Sequence, residues 1–302
     1  MEKLKLALDW TPNINHIGFF VAQEKGFYEE LGLEVFIADP SLDNYGVTPA
    51  KKVELGLVDF ALCPTESIIS YRTKETPFDL IAIAAILQED LSAIVVKGDS
   101  GINSPKDLDH KIYSSYRARY EDGIVKEMIK NDGGEGNLTV VYPDKLGIWN
   151  TLLKGEADAT WIFLNWEGVQ VEYSLHRLQY FKMRDYAIPY SYSPVIAASE
   201  SKISENKTQY SAFIQATKKG FLYCQESPAA AAKILAHYIP PHDQGINLER
   251  ALELSAPYFG TEETWGRLEQ TIVDDFLQWI YEKKLETNQL DFAQICTTDC
   301  LA

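Results

Sequence analysis

Hydrophobic and polar positions change period repeatedly along this chain, and the changes predict alternating strands and helices. KLKLALDW alternates like a strand, GFFVAQEKGFYEELG has helical spacing closed by Gly32, and LEVFIAD alternates again. VTPAKKVELG, VDFALC, TESIISYRT and FDLIAIAAIL continue as helix, strand, helix and buried apolar strand. This βαβα order predicts an α/β fold, a mostly parallel sheet with helices on both faces.

A second cycle follows. SPKDLD opens a short helix with Ser104 as cap and Pro105 at its first position. HKIYSSY reads as strand, EDGIVKEMIKNDG as helix, LTVVYP as strand, LGIWNTLLKGE as helix and ADATWIFLNW as a strand running into a turn. NDGGEGN has neither a Walker lysine nor GxGxxG spacing, and reads as helix stop plus turn. YSPVIAASESK (192–202) is then a strand returning to the first lobe, with four helices expected after it. Tyr210, Phe213, Ile214, Thr217 and Phe221 keep helical spacing in the first of these, and Leu268, Ile272, Val273, Phe276, Leu277 and Ile280 form an apolar stripe in the last. The tail from Glu286 to Ala302, with Cys296 and Cys300, carries no strong pattern.

Leu55-Gly56-Leu57-Val58-Asp59-Phe60-Ala61 is echoed by Lys154-Gly155-Glu156-Ala157-Asp158-Ala159-Thr160, 99 residues later. In both, a helix ends at glycine, a tight turn places an aspartate, and an apolar strand follows. A repeat this long indicates two copies of one α/β lobe rather than a solenoid. Lobe one is expected over 1–93 plus 196–302 and lobe two over 94–195, with LSAIVVKG (91–98) crossing outward and SPVIAASES (193–201) crossing back as a hinge.

Composition narrows the partners. Across 302 residues, 28 Lys and Arg face 44 Asp and Glu, for a net charge of −16 with no basic cluster, which argues against nucleic acid and anionic lipid. No run of 18 apolar residues is present, so no membrane insertion is expected. MEKLKLALDW has no signal-peptide h-region, which favours the cytoplasm and no transporter partner; a periplasmic or extracellular place would require a removed signal. The thiols of Cys63, Cys224, Cys296 and Cys300 fit a reducing compartment, and a lone C-x3-C without nearby histidine does not make a metal site.

In open parallel sheets, ligands bind beyond the carboxyl ends of the strands. Those ends supply Asp9, Trp10, Asn13 and His16; Cys63, Thr65, Glu66 and Ser67; Tyr116, Arg117 and Arg119; and Trp161, Asn165, Trp166 and Glu167. Aromatic plates beside amides, carboxylates and arginines suit a flat polar heterocycle in an interlobe cleft. The ligand-binding set is therefore Trp10, Asn13, His16, Thr65, Glu66, Ser67, Tyr116, Arg117, Trp161, Asn165 and Glu167. Trp10 and Trp161 would stack, Asn13, His16 and Glu66 would read the edge, and Arg117 would take any anionic group. Each also has a local reading. Trp10 can plug a sheet end, Asn13 can serve a turn, His16 a first helical turn and Glu66 a helix dipole, while the arginines can pair with Glu121 and the tryptophans can pack. No G-x-S-x-G or H-E-x-x-H is present. A Cys63–His16 nucleophile pair is the remaining hydrolytic arrangement. No catalytic residue, metal or cofactor is assigned.

DWTPNINHIGFFVAQEKGFYEELGLEV resembles the opening of the type 2 periplasmic-binding-protein-like family that includes SsuA, bacterial pyrimidine-precursor receptors and the thiamin pyrimidine synthases. The shared features are D-W-T-P-N-x-x-H, G-x-x-x-A-x-x-K-G-[FY] and G-L, continuing through ELGLVDFAL and KGEADA over residues 4–240. The resemblance implies a two-lobed ligand-closing fold that uses its W-T-P-N-x-x-H region for a pyrimidine. In the synthase branch, a lysine after the V-D strand holds pyridoxal phosphate and a histidine four residues on is consumed. Cys63 and Ser67 stand at those positions here, Tyr116-Arg117-Ala118-Arg119 replaces the phosphate turn G-E-F-G, and Tyr190-Ser191-Tyr192-Ser193-Pro194 replaces a cysteine-rich run. A serine cannot donate imidazole atoms and a cysteine cannot form the imine. The expectation is binding of a pyrimidine or thiamin-precursor-like heterocycle without turnover. The alternatives are an enzyme of thiamin pyrimidine metabolism with altered residues, or a binder of a small sulfonate or carboxylate.

Overall fold

A computed structural model of the chain describes residues 1–172 and 177–301. It contains two compact units, one of Met1–Asp90, Ser191–Asp274 and Leu290–Ala302, the other of Leu91–Tyr190 and Asp275–Gln289. The sequence reading kept 196–302 whole within the first lobe; the segment Asp275–Gln289 instead clusters with the second unit.

The first unit opens with β1 (Glu2–Ala7), α1 (Ile17–Glu24), α2 (Phe27–Glu30), β2 (Leu33–Ala38), α3 (Pro49–Glu54), β3 (Phe60–Cys63), α4 (Thr65–Thr73) and β4 (Leu80–Ala85). The second unit follows with β5 (Ser92–Lys97), β6 (Ile112–Ser114), α5 (Glu121–Asn131), β7 (Thr139–Val141), α6 (Ile148–Lys154), β8 (Ala159–Phe163), α7 (Glu167–Glu172) and β9 (Leu178–Phe181). The chain then re-enters the first unit through β10 (Val195–Ser199), α8 (Glu200–Glu205), α9 (Lys207–Glu226), α10 (Pro228–Leu235) and α11 (Leu248–Ser255), and ends with α12 (Gln270–Glu282) and α13 (Phe292–Ile295).

The two five-stranded sheets have the orders β2-β1-β3-β10-β4 and β7-β6-β8-β5-β9. In each, one strand opposes the rest: β10 is antiparallel to β3 and β4, and β5 to β8 and β9. These two are the strands read as crossings, β5 being the first strand of its sheet and β10 the strand on which the chain returns to the other. Four strands of each sheet point the same way, but the reversed strand makes two of the four pairings antiparallel, so the sheets are mixed rather than mostly parallel.

The echo is a shared structural device. Gly56 and Gly155 close their helices at φ of 66° and 75°, a left-handed conformation that favours glycine. Asp59 then accepts the Lys5 N–H at 2.8 Å and donates its own N–H to the Lys5 carbonyl at 2.9 Å. Asp158 makes the same pair with Ile112, at 2.8 Å in both directions.

Three expectations need correction. The helix expected through Gly32 is two helices, because Gly26 at φ 72° interrupts it, though it does end at a left-handed Gly32. Strand β9 was not foreseen. Six α-helices rather than four follow β10 among the described residues, and the tail is structured, with Cys296 bridged to Ala82 and the Thr297 N–H bonded to the Ala82 carbonyl.

The first unit's core lies over β3, β4 and β10, every residue of which is buried. Phe60 stacks on Phe213 of α9 at 4.1 Å, and Tyr28 stacks on the same ring at 5.6 Å. Helices α1 and α9 approach closely where Gly220 faces Gly18, since a Cβ on Gly220 would stand 2.1 Å from the Gly18 carbonyl oxygen. Backbone cannot swing aside as a side chain can. Gly220→Ala is expected to destabilise the protein by about 3 kcal/mol through overpacking, read as a lower denaturation midpoint at unchanged slope.

Candidate functional site

In the first unit, β1 ends where Asp9 and Trp10 emerge, and the chain then tightens into a 3-10 turn at Ile14–His16. Asn13 is that turn's cap. Its side-chain oxygen accepts the Asn15 N–H at 2.9 Å, and its amide donates to the Thr11 carbonyl at 3.0 Å. The His16 ring is 0 % exposed and bonded on both sides. The Asn13 N–H can only donate, so the Nδ1 it reaches at 3.2 Å is the acceptor, and Nε2 carries the proton donated to Asp9 Oδ1 at 2.8 Å. Asn13 and His16 thus serve the local structure, and what they present outward is Asp9.

Around Asp9 lie groups from two further segments. The Trp10 and Tyr45 rings are 6.0 Å apart and tilted by 55°, Tyr45 following a turn at Pro40–Asp43 with φ of 56°. Burial lifts the Tyr45 hydroxyl far above its ordinary value, and Asp9, Cys63 and Asp43 add to the shift. Burial also pushes the Cys63 thiol up, with Asp9 and Glu66 adding. Such a thiol is no thiolate nucleophile, and both nitrogens of His16 are engaged, so the Cys63–His16 pair has no base. Thr65 donates to the Tyr192 carbonyl at 2.7 Å, Glu66 is buried, and Ser67 is half-buried on the same first turn of α4.

In the second unit, the loop after β6 is built around Glu121. This carboxylate accepts the Tyr113 hydroxyl at 2.7 Å and the N–H groups of Tyr116 at 3.1 Å and Ala118 at 3.2 Å. Tyr116 sits near Glu167 and Glu121; burial first and then those carboxylates raise its hydroxyl well above the ordinary range. Glu167 accepts the Phe163 N–H at 3.1 Å, Asn165 is buried, and Trp161 tilts against Tyr190 at 5.1 Å. The arginines are engaged otherwise: the Arg117 guanidinium lies 4.5 Å over the Tyr142 ring, and Arg119 pairs with Glu286 at 2.9 Å. Glu286 also accepts from Tyr120 and from Thr287 and Asn288; burial opposes its ionisation, but these bonds hold its carboxyl at about 2.

The structure therefore brings Asp9 and Glu66 together at Cys63 in one unit, with Trp10 beside Tyr45 and Thr65 bonded to Tyr192, and brings Tyr116 and Glu167 together in the other. It places Asn13 and His16 behind the surface they shape, and Arg117 against Tyr142. Sequence reading left Asp9 out of the binding set and did not include Tyr45, Glu121 or Tyr190. Asp9 could have been found from its seven-residue spacing to His16. Tyr45 shows only a turn-like D-N-Y-G context.

Both sheets, each with one reversed strand, define the periplasmic-binding-protein fold. Solved structures share it: the alkanesulfonate-binding protein SsuA of Xanthomonas axonopodis pv. citri aligns with a TM-score of 0.74 at 13% identity over 98% of each chain. A Candida albicans protein with the generic periplasmic-binding-protein fold aligns at 0.71 and 16% over 99% of this chain and 97% of that one. The chain belongs to the NMT1/THI5-like family, whose profile matches residues 13–231. Relatives include the formylaminopyrimidine-binding protein of Halalkalibacterium halodurans, 26% identical over 78% of this chain and 70% of its own length. A 4-amino-5-hydroxymethyl-2-methylpyrimidine phosphate synthase of Legionella pneumophila is 23% identical over 79% of this chain and 74% of its own. Among the described residues, no helix is long and apolar enough to cross a membrane.

The residues here do not fit pyridoxal phosphate in the manner of the synthase branch. Cys63, at the lysine position, is 3 % exposed and carries a thiol held protonated.

Glu121 gives this region a pH signature. Burial raises its carboxyl to about 6, against the opposing hydrogen bonds from Tyr113, Tyr116 and Ala118. A raised folded value means that its contribution is complete below the ordinary carboxylate range and is lost as pH rises through about 6. Moving from pH 7.5 to 5 should thus recover about 1 kcal/mol that the Glu121→Gln variant does not recover, read from urea midpoints at the two pH values.

Proposed function

We propose that this protein binds a small, flat, polar nitrogen heterocycle of the pyrimidine or thiamin-precursor kind and releases it unchanged. Trp10, Thr65, Glu66 and Ser67 with Asp9 and Tyr45 form the recognition surface of the first unit. Tyr116, Trp161, Asn165 and Glu167 form that of the second. The observation carrying this reading is the Trp10–Tyr45 ring pair beside a carboxylate at the end of β1: flat apolar surface with a hydrogen-bonding edge. The relative named for binding a formylaminopyrimidine supports the ligand class. Absence of turnover is argued from Cys63 and Ser67, which can supply neither an imine nor imidazole atoms.

A sulfonate or carboxylate ligand finds less support, because Arg119 is already paired with Glu286, which leaves Arg117 as the one arginine of that loop without a carboxylate at ion-pair distance among the described residues. Thermal unfolding with a panel of pyrimidines, sulfonates and dicarboxylates tests the reading. A pyrimidine at 100 times its Kd should add about 2.7 kcal/mol and be recovered chemically intact after incubation. Stabilisation by sulfonates alone, or conversion of the pyrimidine, would refute it.

A further inference from the structure

We propose that the open edge of β2 pairs with the same edge of a second copy of this chain, antiparallel about a twofold axis at Phe36. The sheet of the first unit ends in β2 on one side and β4 on the other. The β4 edge is capped, with Cys296 bridged to Ala82 and Gly266 bridged to Ala85. Strand β2 pairs with β1 alone, in unbroken register from Glu2 level with Leu33 to Ala7 level with Ala38. The Gly32 and Ala38 carbonyls accept the N–H groups of Glu2 at 2.9 Å and Leu8 at 3.0 Å, so the even-numbered residues of this strand turn their backbone toward β1. The odd-numbered ones turn theirs away. Leu33 is 2 % exposed and covered, which leaves the N–H and C=O groups of Val35 and Ile37, both half-buried, as the unpaired row among the described residues.

Natural edge strands are blunted by lysine, proline or a bulge, because an unpaired row invites another strand. LEVFIA has none of the three, and all its side chains but Glu34 are apolar. Phe36 is 57 % exposed, on the face it shares with Lys5, its neighbour in the register. Pairing about Phe36 sets Val35 against Ile37 of the second copy and Ile37 against its Val35, so that every unpaired group of the row enters a hydrogen bond. A register centred on Val35 would instead call on the covered backbone of Leu33. The two Phe36 rings then meet at the axis as a non-hydrogen-bonded pair, where side chains approach most closely. Glu34, held by Lys3 at 3.6 Å, faces Ala38 rather than a like charge. Continued by count, the register brings the Pro40–Asp43 turn, whose Leu42 is 76 % exposed, beside the exposed Leu31 of the second copy. Charge favours the same occupant. A chain of net charge −16 repels its own kind over most of its surface, whereas on this face β1 and β2 set Lys3 and Lys5 against Glu34 alone.

The test follows the mass of the full chain by sedimentation over a range of concentrations. The wild type should pass from 34.2 kDa to twice that mass and stop there, since a twofold seam closes on itself. Phe36→Lys sets two lysines face to face across the axis, and Val35→Pro removes an N–H that the single copy leaves unused. Both variants should keep the unfolding transition of the dilute wild type and remain single copies at every concentration. Phe36→Cys should join two copies through a disulfide on mild oxidation with diamide, because residues at the axis lie within bridging distance. Glu34→Cys, which faces Ala38, should not. The four native cysteines are buried and give no background. A wild type that stays at 34.2 kDa, a mass that climbs past two copies, or a dimer that survives both Phe36→Lys and Val35→Pro overturns the proposal. So does cross-linking of Glu34→Cys as fast as that of Phe36→Cys.

Discussion

Two hydrogen bonds at one aspartate set the register on which each sheet depends. Asp59 exchanges its N–H and carboxylate with the carbonyl and N–H of Lys5, which brings Leu6 level with Phe60 in the parallel pair β1–β3. Asp158 does the same with Ile112 and brings Tyr113 level with Ala159. A parallel pair has no hairpin to fix its offset, and a slip of one residue would turn every side chain to the opposite face. With the offset fixed at the start of the strands, their far ends emerge together. This is why Asp9 and Trp10 share surroundings with Cys63 and Glu66, although more than fifty residues of chain separate them.

The same device made the fold legible. Gly-x-x-Asp followed by an apolar run is a local pattern with a local cause, a left-handed helix stop and an aspartate that caps a strand. It could therefore be matched 99 residues later without knowledge of the tertiary structure. Carried onward from Leu80–Ala85, that offset lands on residues 179–184 and overlaps β9, the strand that periodicity missed because LQYF is short and partly exposed. The break at Gly26 was hidden because the apolar spacing of Phe19, Phe20 and Tyr28 survives it. The tail was hidden for the opposite reason. Its buried groups, Ile295, Cys296 and Cys300, are held by a bridge to β4, a long-range contact that leaves no period.

For the candidate site, the position of the side chains at strand ends was legible and the bonds of their polar atoms were less so. Position at strand ends follows from topology, and Trp10, Thr65, Glu66, Tyr116 and Glu167 stand there. Roles depend on where each polar atom spends its hydrogen bonds. Asn13 and His16 spend theirs within eight residues of chain, on Thr11, Asn15, Asn13 and Asp9. Glu121, read only as a partner for the arginines, instead gathers a tyrosine hydroxyl and two backbone N–H groups. Carboxylates that collect several donors from one loop shape that loop as strongly as a core side chain would.

Charge connects these observations to chemistry. The net −16 is not merely spread over the surface: Asp9 and Glu66 press on one thiol, while Glu121 and Glu167 press on one tyrosine. Negative potential concentrated beside aromatic rings raises the cost of forming a thiolate or a phenolate there, which disfavours nucleophilic and general-base chemistry by Cys63 or Tyr116. Of the two arginines after β6, Arg119 is paired with Glu286, while Arg117 lies over the Tyr142 ring and keeps its charge. Lys145 follows the same logic, since burial lowers its tendency to hold a proton although nearby Glu121 opposes the change. In each unit, then, the buried carboxylates that keep a neighbouring thiol or phenol protonated remain as acceptors beside aromatic rings.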